Sequence, residues 1–331
     1  MAIDKTSPPT GFNRNIIGVA SLLIVGSSFQ MGYIIGVMNQ PAEHVRSFIN
    51  ASMRSRGSTE VKDIELSAFF GLATGLFIPG AIIGSVVCGF ISDRLGSRPT
   101  LIIAHCLVVI GSLLSFAAVY ASAPEMIYIG RLLVGIKCGI GNCIVPMFLA
   151  EIVPYHLRGT LTTCHQLFIT LGIFLAAVFG LPQLLGTASL WHILFLVQLL
   201  PAVATSAVLP FVPETPRYLL FVRKNESEAL KSLAFYRRST PDEVQTEMNV
   251  MNEFLREHES RLTIKRFTFS NLFRARDLRR ALAVACSLQI VQQFSGVNAV
   301  FFFSYTIFET AGMDKHFIPF AIAGKTSIDT W

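Results

Sequence analysis

At 331 residues the chain is long enough for two soluble domains, but 52% hydrophobic and only 15% charged residues, with a mean hydropathy of +0.55, set it apart from soluble proteins. The net charge of +6 is not gathered into a basic stripe with interleaved aromatics, which argues against nucleic-acid binding. Cys88, Cys106, Cys138, Cys143 and Cys286 lie inside apolar stretches, Cys164 starts another, and no CxxC pair occurs, so neither a disulfide framework nor a zinc site is indicated.

The polar N-terminus, Met1 to Arg14, precedes an apolar run too long for a signal peptide and lacking a small-residue cleavage site, so the first span is expected to be retained. Runs able to cross about 30 Å of hydrocarbon at about 1.5 Å per residue occupy Ile16 to Val37, Ser67 to Phe90, Thr100 to Tyr120, Met126 to Leu149, Leu161 to Leu181 and Trp191 to Phe211. A polar segment from Pro213 to Arg280 follows. Within it, Glu226 to Tyr236 and Glu243 to Leu262 show helix-type apolar spacing around Pro241, which predicts a small amphipathic helical layer rather than a solvated linker. A seventh span is expected from Ala281 to about Thr310, and Phe317 to Ala323 begins an eighth that the polar stretch Gly324 to Trp331 leaves unfinished. The organisation read from this is a six-helix bundle over 1–212, a helical linker over 213–280, and the start of a second bundle over 281–331.

Short loops set the expected orientation. Ser92 to Pro99 and Glu151 to Gly159 carry arginine, whereas Ala121 to Glu125 and Pro182 to Leu190 carry no Lys or Arg, so the basic loops, the N-terminus and the linker are placed in the cytoplasm. Asn39 to Leu66 then lies outside, and its Asn50-Ala51-Ser52 is a glycosylation sequon; the sequon at Asn225 would face the cytoplasm and stay unmodified.

Asp93-Arg94-Leu95-Gly96-Ser97-Arg98-Pro99 sets a carboxylate beside two arginines around a glycine turn, an arrangement that suits a releasable ion pair, although read alone it is equally a positive-inside anchor. The loop resembles the one after the second helix of major facilitator transporters. Further matches follow in order: Gly26 to Pro41 (GSSFQMGYIIGVMNQP), Gly130-Arg131, Glu151 with Arg158-Gly159, Pro213 to Leu220 (PETPRYLL) and Gln292 to Ala299 (QQFSGVNA). Together they resemble the facilitative glucose and fructose transporter family over roughly residues 12 to 315. The resemblance implies an all-α polytopic membrane fold: the N-terminal six-helix half of a major facilitator protein, its cytoplasmic helical linker, and about one helix of the second half. It also implies that Asp93, Arg94, Arg98, Arg131, Glu151, Arg158, Glu214 and Arg217 form a cytoplasmic ion-pair network closing an inner gate.

Polar residues inside spans are the other informative positions, because lipid does not tolerate them. Gln166 in the fifth span and Gln292, Gln293 and Asn298 in the seventh carry amides, which offer donors and an acceptor to sugar hydroxyls without burying charge. Taken singly, each is as readily an interhelical hydrogen bond. Gln166, Ile169 and Ile173 share a helical face at i, i+3, i+7, and Ser295-Gly296 can kink or unwind the helix between Gln293 and Asn298. The resemblance implies sugar contact at Gln166, Gln292, Gln293, Asn298 and Phe301. The resembled symporters carry an aspartate after Gly-Tyr in the first span; here Ile34 follows Gly32-Tyr33, so passive uniport of a hexose is expected. Gln289-Ile290-Val291 departs from the Gln-Leu-Ser of glucose-selective members and leaves glucose and fructose both open. Lys137, inside the fourth span with no carboxylate at i±3 or i±4, is expected to snorkel.

No nucleotide loop, catalytic triad, metal site or cofactor is indicated. The expected partners are a hexose and the lipid bilayer, in the plasma membrane. Because the resembled family has twelve spans, the chain is expected to be a C-terminally truncated form. It would then need completion by, or association with, another transporter chain, or act as a non-transporting partner or sensor subunit.

Overall fold

A computed structural model of the chain describes residues 13–56, 63–154, 157–261 and 276–296, with a few positions between 307 and 317. All regular structure among the described residues is helical. Six helices are long and apolar enough to cross a membrane: α1 (Arg14–Gly36), α3 (Asp63–Leu95), α4 (Ser97–Ala121), α5 (Glu125–Ile152), α6 (Arg158–Phe179) and α7 (Trp191–Phe211). They are the six spans read from hydropathy.

Local chemistry sets where the spans break. Pro79 cannot donate to the carbonyl four residues back, and α3 is interrupted at Leu76, between Asp63–Gly75 and Phe77–Leu95. Gly96 links α3 to α4 alone, with φ +101, a conformation that L side chains rarely adopt. In α1 the stretch Ile24–Phe29 is wound as a π-helix, which turns Ser27 and Ser28 into the bundle. Pro146 inside α5 leaves the Asn142 carbonyl without its usual helical donor.

Small residues let the helices approach. A Cβ at Gly32 would collide with the Ile169 carbonyl, and one at Gly172 with the Phe29 carbonyl, so α1 and α6 touch backbone to backbone. Gly80 and Gly84 of α3 meet α5 beside Gly135 and Gly139 in the same way. The core runs along the bundle axis from Ile16, Leu101 and Phe148, through Ile34, Val108 and Ile169, to Tyr33, Ile49 and Phe195. Phe90, Leu200 and Phe211 point outward, as expected of lipid-facing positions.

Each end of the bundle carries a cover. At one end α2 (Ala42–Ser55) lies in the segment expected to be an outer loop. Its Ser52 hydroxyl donates to the Ser122 carbonyl at 2.5 Å, Arg56 pairs with Glu125, and Phe48 packs on Trp191. Asn50 therefore sits half-buried on a helix rather than in an open loop. At the other end are α8 (Pro216–Phe221), α9 (Glu226–Arg237) and α10 (Gln245–Arg261). Thr215 caps α8 ahead of Pro216, and Asn225 caps α9 through the Glu228 amide at 3.1 Å. Helices α9 and α10 lie where the spacing predicts an amphipathic layer.

Finally, α11 (Arg276–Phe294) is exposed at every described side chain except the part-buried Leu282, and only Leu282–Phe294 of it is apolar. It ends where an interruption was anticipated, with Gly296 at φ +75. The remainder of the expected seventh span lies mostly outside the described residues, as does the stretch Phe317 to Ala323 after its first residue.

Candidate functional site

At the linker end, helix termini and linker side chains satisfy each other. The first amides of α4 have no intrahelical acceptors. Glu214 supplies one: its two carboxylate oxygens accept from the Arg98 amide at 3.3 and 3.1 Å, and Oε1 also accepts from the Thr215 amide at 3.0 Å. A carboxylate at a helix N-terminus is also favoured by the helix dipole. Burial raises the Glu214 carboxyl above the usual carboxylate range, while the Thr215 and Arg98 amides, the Arg98 charge and the Ser97 amide pull it part of the way back. The Arg98 guanidinium meanwhile donates to the Pro210 and Val212 carbonyls at 3.2 and 3.0 Å, covering the C-terminal end of α7.

Three further staples were not read from the sequence. Tyr218 Oη donates to the Arg94 carbonyl at 3.1 Å, closing the end of α3. Arg237 donates to the Ile152 carbonyl at 2.8 Å, closing α5, and holds Glu247 bidentately at 2.9 and 2.7 Å. Asn13 and Asn15 reach the Tyr236 and Phe235 carbonyls, each at 2.7 Å, which ties the start of α1 to the end of α9. A sequence signal existed for the last pair, since Asn13 is a natural N-cap; it also accepts from the Ile16 amide at 3.0 Å.

Several of the expected gate residues gather here, and two of them, Glu214 and Arg98, bond to helix ends. Glu151 lies near Thr215 and within electrostatic reach of Arg217, Arg158 and Glu214. Asp93 and Arg94 are exposed beside them. Arg131 does not belong to the cluster. It stands 20 residues before Glu151 on α5, about 30 Å along the axis. Its guanidinium is buried near the other end, donating to the Ile34 carbonyl at 3.1 Å with its carbon 5.0 Å from the Phe77 ring centre. Its assignment to the cytoplasmic network is therefore corrected by helix geometry alone. Lys137 is likewise corrected: it is fully buried, with Nζ donating to the Ser27 carbonyl at 3.3 Å, because the π-wound stretch of α1 offers that carbonyl sideways and no snorkelling route is needed.

Mid-bundle, the expected sugar-facing positions divide. Gln166 is exposed on α6, while Ile169 and Ile173 are buried against Met31 and Ile34, so the three share a face but not an environment. Gln292 and Gln293 are exposed on α11. Asn298 and Phe301 lie outside the described residues. Further exposed polar side chains, among them Asn142 on α5 and Thr162 and Thr163 on α6, were missed; Pro146 four residues after Asn142 was the available signal. Counted from the linker end, Asn142 and Gln166 lie ten and eight residues in, at a similar depth of about 12–15 Å. A buried polar thread, Gln30 to the Gln198 carbonyl and Gln198 to Ser112 Oγ, both at 2.7 Å, joins α1, α7 and α4 behind them.

Six spans held by glycine contacts, a helical plate across one end, and amides exposed at mid-depth define a polytopic membrane protein of the major facilitator class. Solved structures of that fold agree. The xylose transporter XylE from E. coli in a partially occluded inward-open conformation superposes with a TM-score of 0.73 at 20% identity, over 95% of this chain and 70% of that one. The proton:xylose symporter XylE bound to 6-bromo-6-deoxy-D-glucose gives 0.75 at 22%, over 96% and 68%. By sequence, the sugar (and other) transporter family matches residues 19–328, and the chain belongs to that family, one of transporters and not of enzymes. Among curated relatives, facilitated glucose transporter member 3 of sheep is 37% identical over 300 residues, covering 91% of this chain and 60% of the relative. The human protein of the same name is 37% identical over 315 residues, covering 95% and 61%. The chain thus spans about 60% of the length of the relatives it matches.

Proposed function

We propose that the protein is a facilitative hexose carrier working by alternating access, with α1–α7 as one of the two rocking halves. The observation that carries this is the pair of exposed amides, Gln166 and Asn142, at one depth on two membrane-spanning helices. An amide facing hydrocarbon is costly, so such a face fits a water-filled path lined for hydroxyl recognition. Gln292 and Gln293 on α11, with Asn298 and Phe301 beyond it, would grip the sugar from the facing half. The linker-end caps around Glu214, Arg98, Glu151, Arg158 and Arg217 would close the inner mouth, with Asp93 and Arg94 free to engage partners from that half.

Uniport is favoured because α1 holds no acidic residue and Ile34 is fully buried. The arginine-bearing loops favour a cytoplasmic linker and N-terminus, with Asn50 outside and the protein in the plasma membrane. The test is uptake of labelled glucose and fructose in transporter-deficient cells, with surface delivery read by glycan removal at Asn50. Saturable uptake that survives a collapsed proton gradient and falls at least about tenfold in Gln166→Ala supports the reading. Surface-delivered protein with no saturable uptake of either sugar overturns it for this chain and favours a partner-subunit role.

A further inference from the structure

The interior holds a cation with no counter-charge. Over residues 14–36, 66–92, 97–121, 126–150, 158–179 and 191–211 the sequence contains no Asp or Glu. Lys137 is nevertheless fully buried at the centre of α5. One of its three donors is spent on the Ser27 carbonyl at 3.3 Å, a contact with a dipole rather than a charge. A buried ammonium in such surroundings is costly unless an anion accompanies it.

Unmet donors lie on the helices packed near it. The Ser27 hydroxyl, 2% exposed as a residue, has no hydrogen-bond partner among the described residues. His105 of α4 is fully buried, lies within electrostatic reach of Lys137, and has neither ring nitrogen partnered, although one of the two carries a proton in any neutral tautomer. The neighbouring His165 of α6 is not available in the same way, since its Nδ1 is 2.6 Å from Ser28 Oγ. Cys138 adjoins the group on α5. A Cβ added to Gly141 would lie in ordinary contact, 3.6 Å from Ser27 Oγ and 3.9 Å from Lys137 Cε, so the unmet hydroxyl and the lysine stem flank one glycine.

Donors of three kinds with no carboxylate in the spans around them are the chemistry of an anion site. We propose that Lys137, Ser27 and His105 form a buried site for a small monovalent inorganic anion of the chloride class, seated against the π-wound stretch of α1. The anion neutralises the ammonium and, through Ser27, fixes the bend of the first helix against α4 and α5. The site lies within one bundle and needs no residue of a second half.

Radiolabelled chloride binding to the purified chain in nanodiscs tests this, together with thermal unfolding in chloride against gluconate at equal ionic strength. Saturable binding at about one site, and a melting temperature higher by about 3 °C in chloride, are expected. Both should vanish in Lys137→Met. Should that variant fail to fold, Ser27→Ala should weaken chloride binding about tenfold, and Gly141→Val should block it by crowding Ser27 and Lys137. A folded wild-type chain without saturable chloride binding, or binding unchanged in these variants, overturns the proposal and leaves Lys137 as a neutral amine bonded to water.

Discussion

Glu214 holds the Arg98 amide on both of its carboxylate oxygens, so a residue of the linker terminates a helix 116 positions earlier in the chain. The charge that a gate would use is thus also the N-cap of α4. Replacing it by alanine leaves the amides of Arg98 and Thr215 without that acceptor and is expected to cost about 1–2 kcal/mol. Glu214→Gln keeps an oxygen acceptor and removes a charge that burial disfavours on balance, so it should cost less than the alanine, under about 0.5 kcal/mol. Thermal unfolding of purified variants would separate the two; equal losses would refute the capping role.

The same carboxyl gives the plate a pH dependence. Burial raises its folded pKa, so the folded layer binds the proton more tightly than the opened chain does. Stability from this source is present below the unfolded value and is lost as pH rises through the raised folded value. Hydrogen exchange of the α8–α10 amides, corrected for intrinsic rates, should show less opening near pH 5 than near pH 7.5. Glu214→Gln should flatten the difference, and a slope that persists in that variant would have to come from another group.

Arg237 is 5% exposed while its partner Glu247 is 44% exposed, which makes the pair unequal. Arg237→Met strands the buried Ile152 carbonyl and is expected to destabilise the plate by about 2 kcal/mol. Glu247→Ala removes a half-solvated partner and should cost under about 1 kcal/mol. A double-mutant cycle read by limited proteolysis of the linker would show a coupling smaller than the arginine's own effect; a coupling as large as that effect would assign the staple to the ion pair instead.

Two glycines of α1 should behave oppositely. Gly32→Ala drives a methyl into the Ile169 carbonyl and is expected to cost about 3 kcal/mol, seen as early melting or aggregation in detergent. Gly18 has nothing within 4 Å of a new Cβ, so Gly18→Ala should gain up to about 1 kcal/mol of helix propensity. Similar behaviour of both would mean that α1 and α6 do not touch through Gly32.

The span count was legible because hydropathy reports burial in lipid directly, and α9 and α10 were legible because the apolar spacing over Glu226 to Tyr236 and Glu243 to Leu262 is a local signal; the short α8 was not read. Arg131 could have been placed from the sequence, since 20 residues of one helix separate it from Glu151, whereas Lys137 was misplaced because a buried cation is recognised by what lies across from it, and the Ser27 carbonyl is 110 residues away in sequence. The π-wound stretch of α1 left no pattern that periodicity could detect. Asn142 was overlooked because an amide beside glycine and cysteine in an apolar run reads as packing until its exposure is seen.

The bond from Asn13 to the Tyr236 carbonyl spans 223 residues. During synthesis at about 5–20 residues per second, the first helix therefore waits some 10–45 s for the group that ties down its beginning. Until then α1 can be inserted and packed against α5 and α6 but not tied at its first turn, and that last tie is made only when the linker emerges from the ribosome. A substitution at Asn13 or in α9 would accordingly leave insertion unaltered and would surface as slower maturation, with newly made protein exposed longer to quality control.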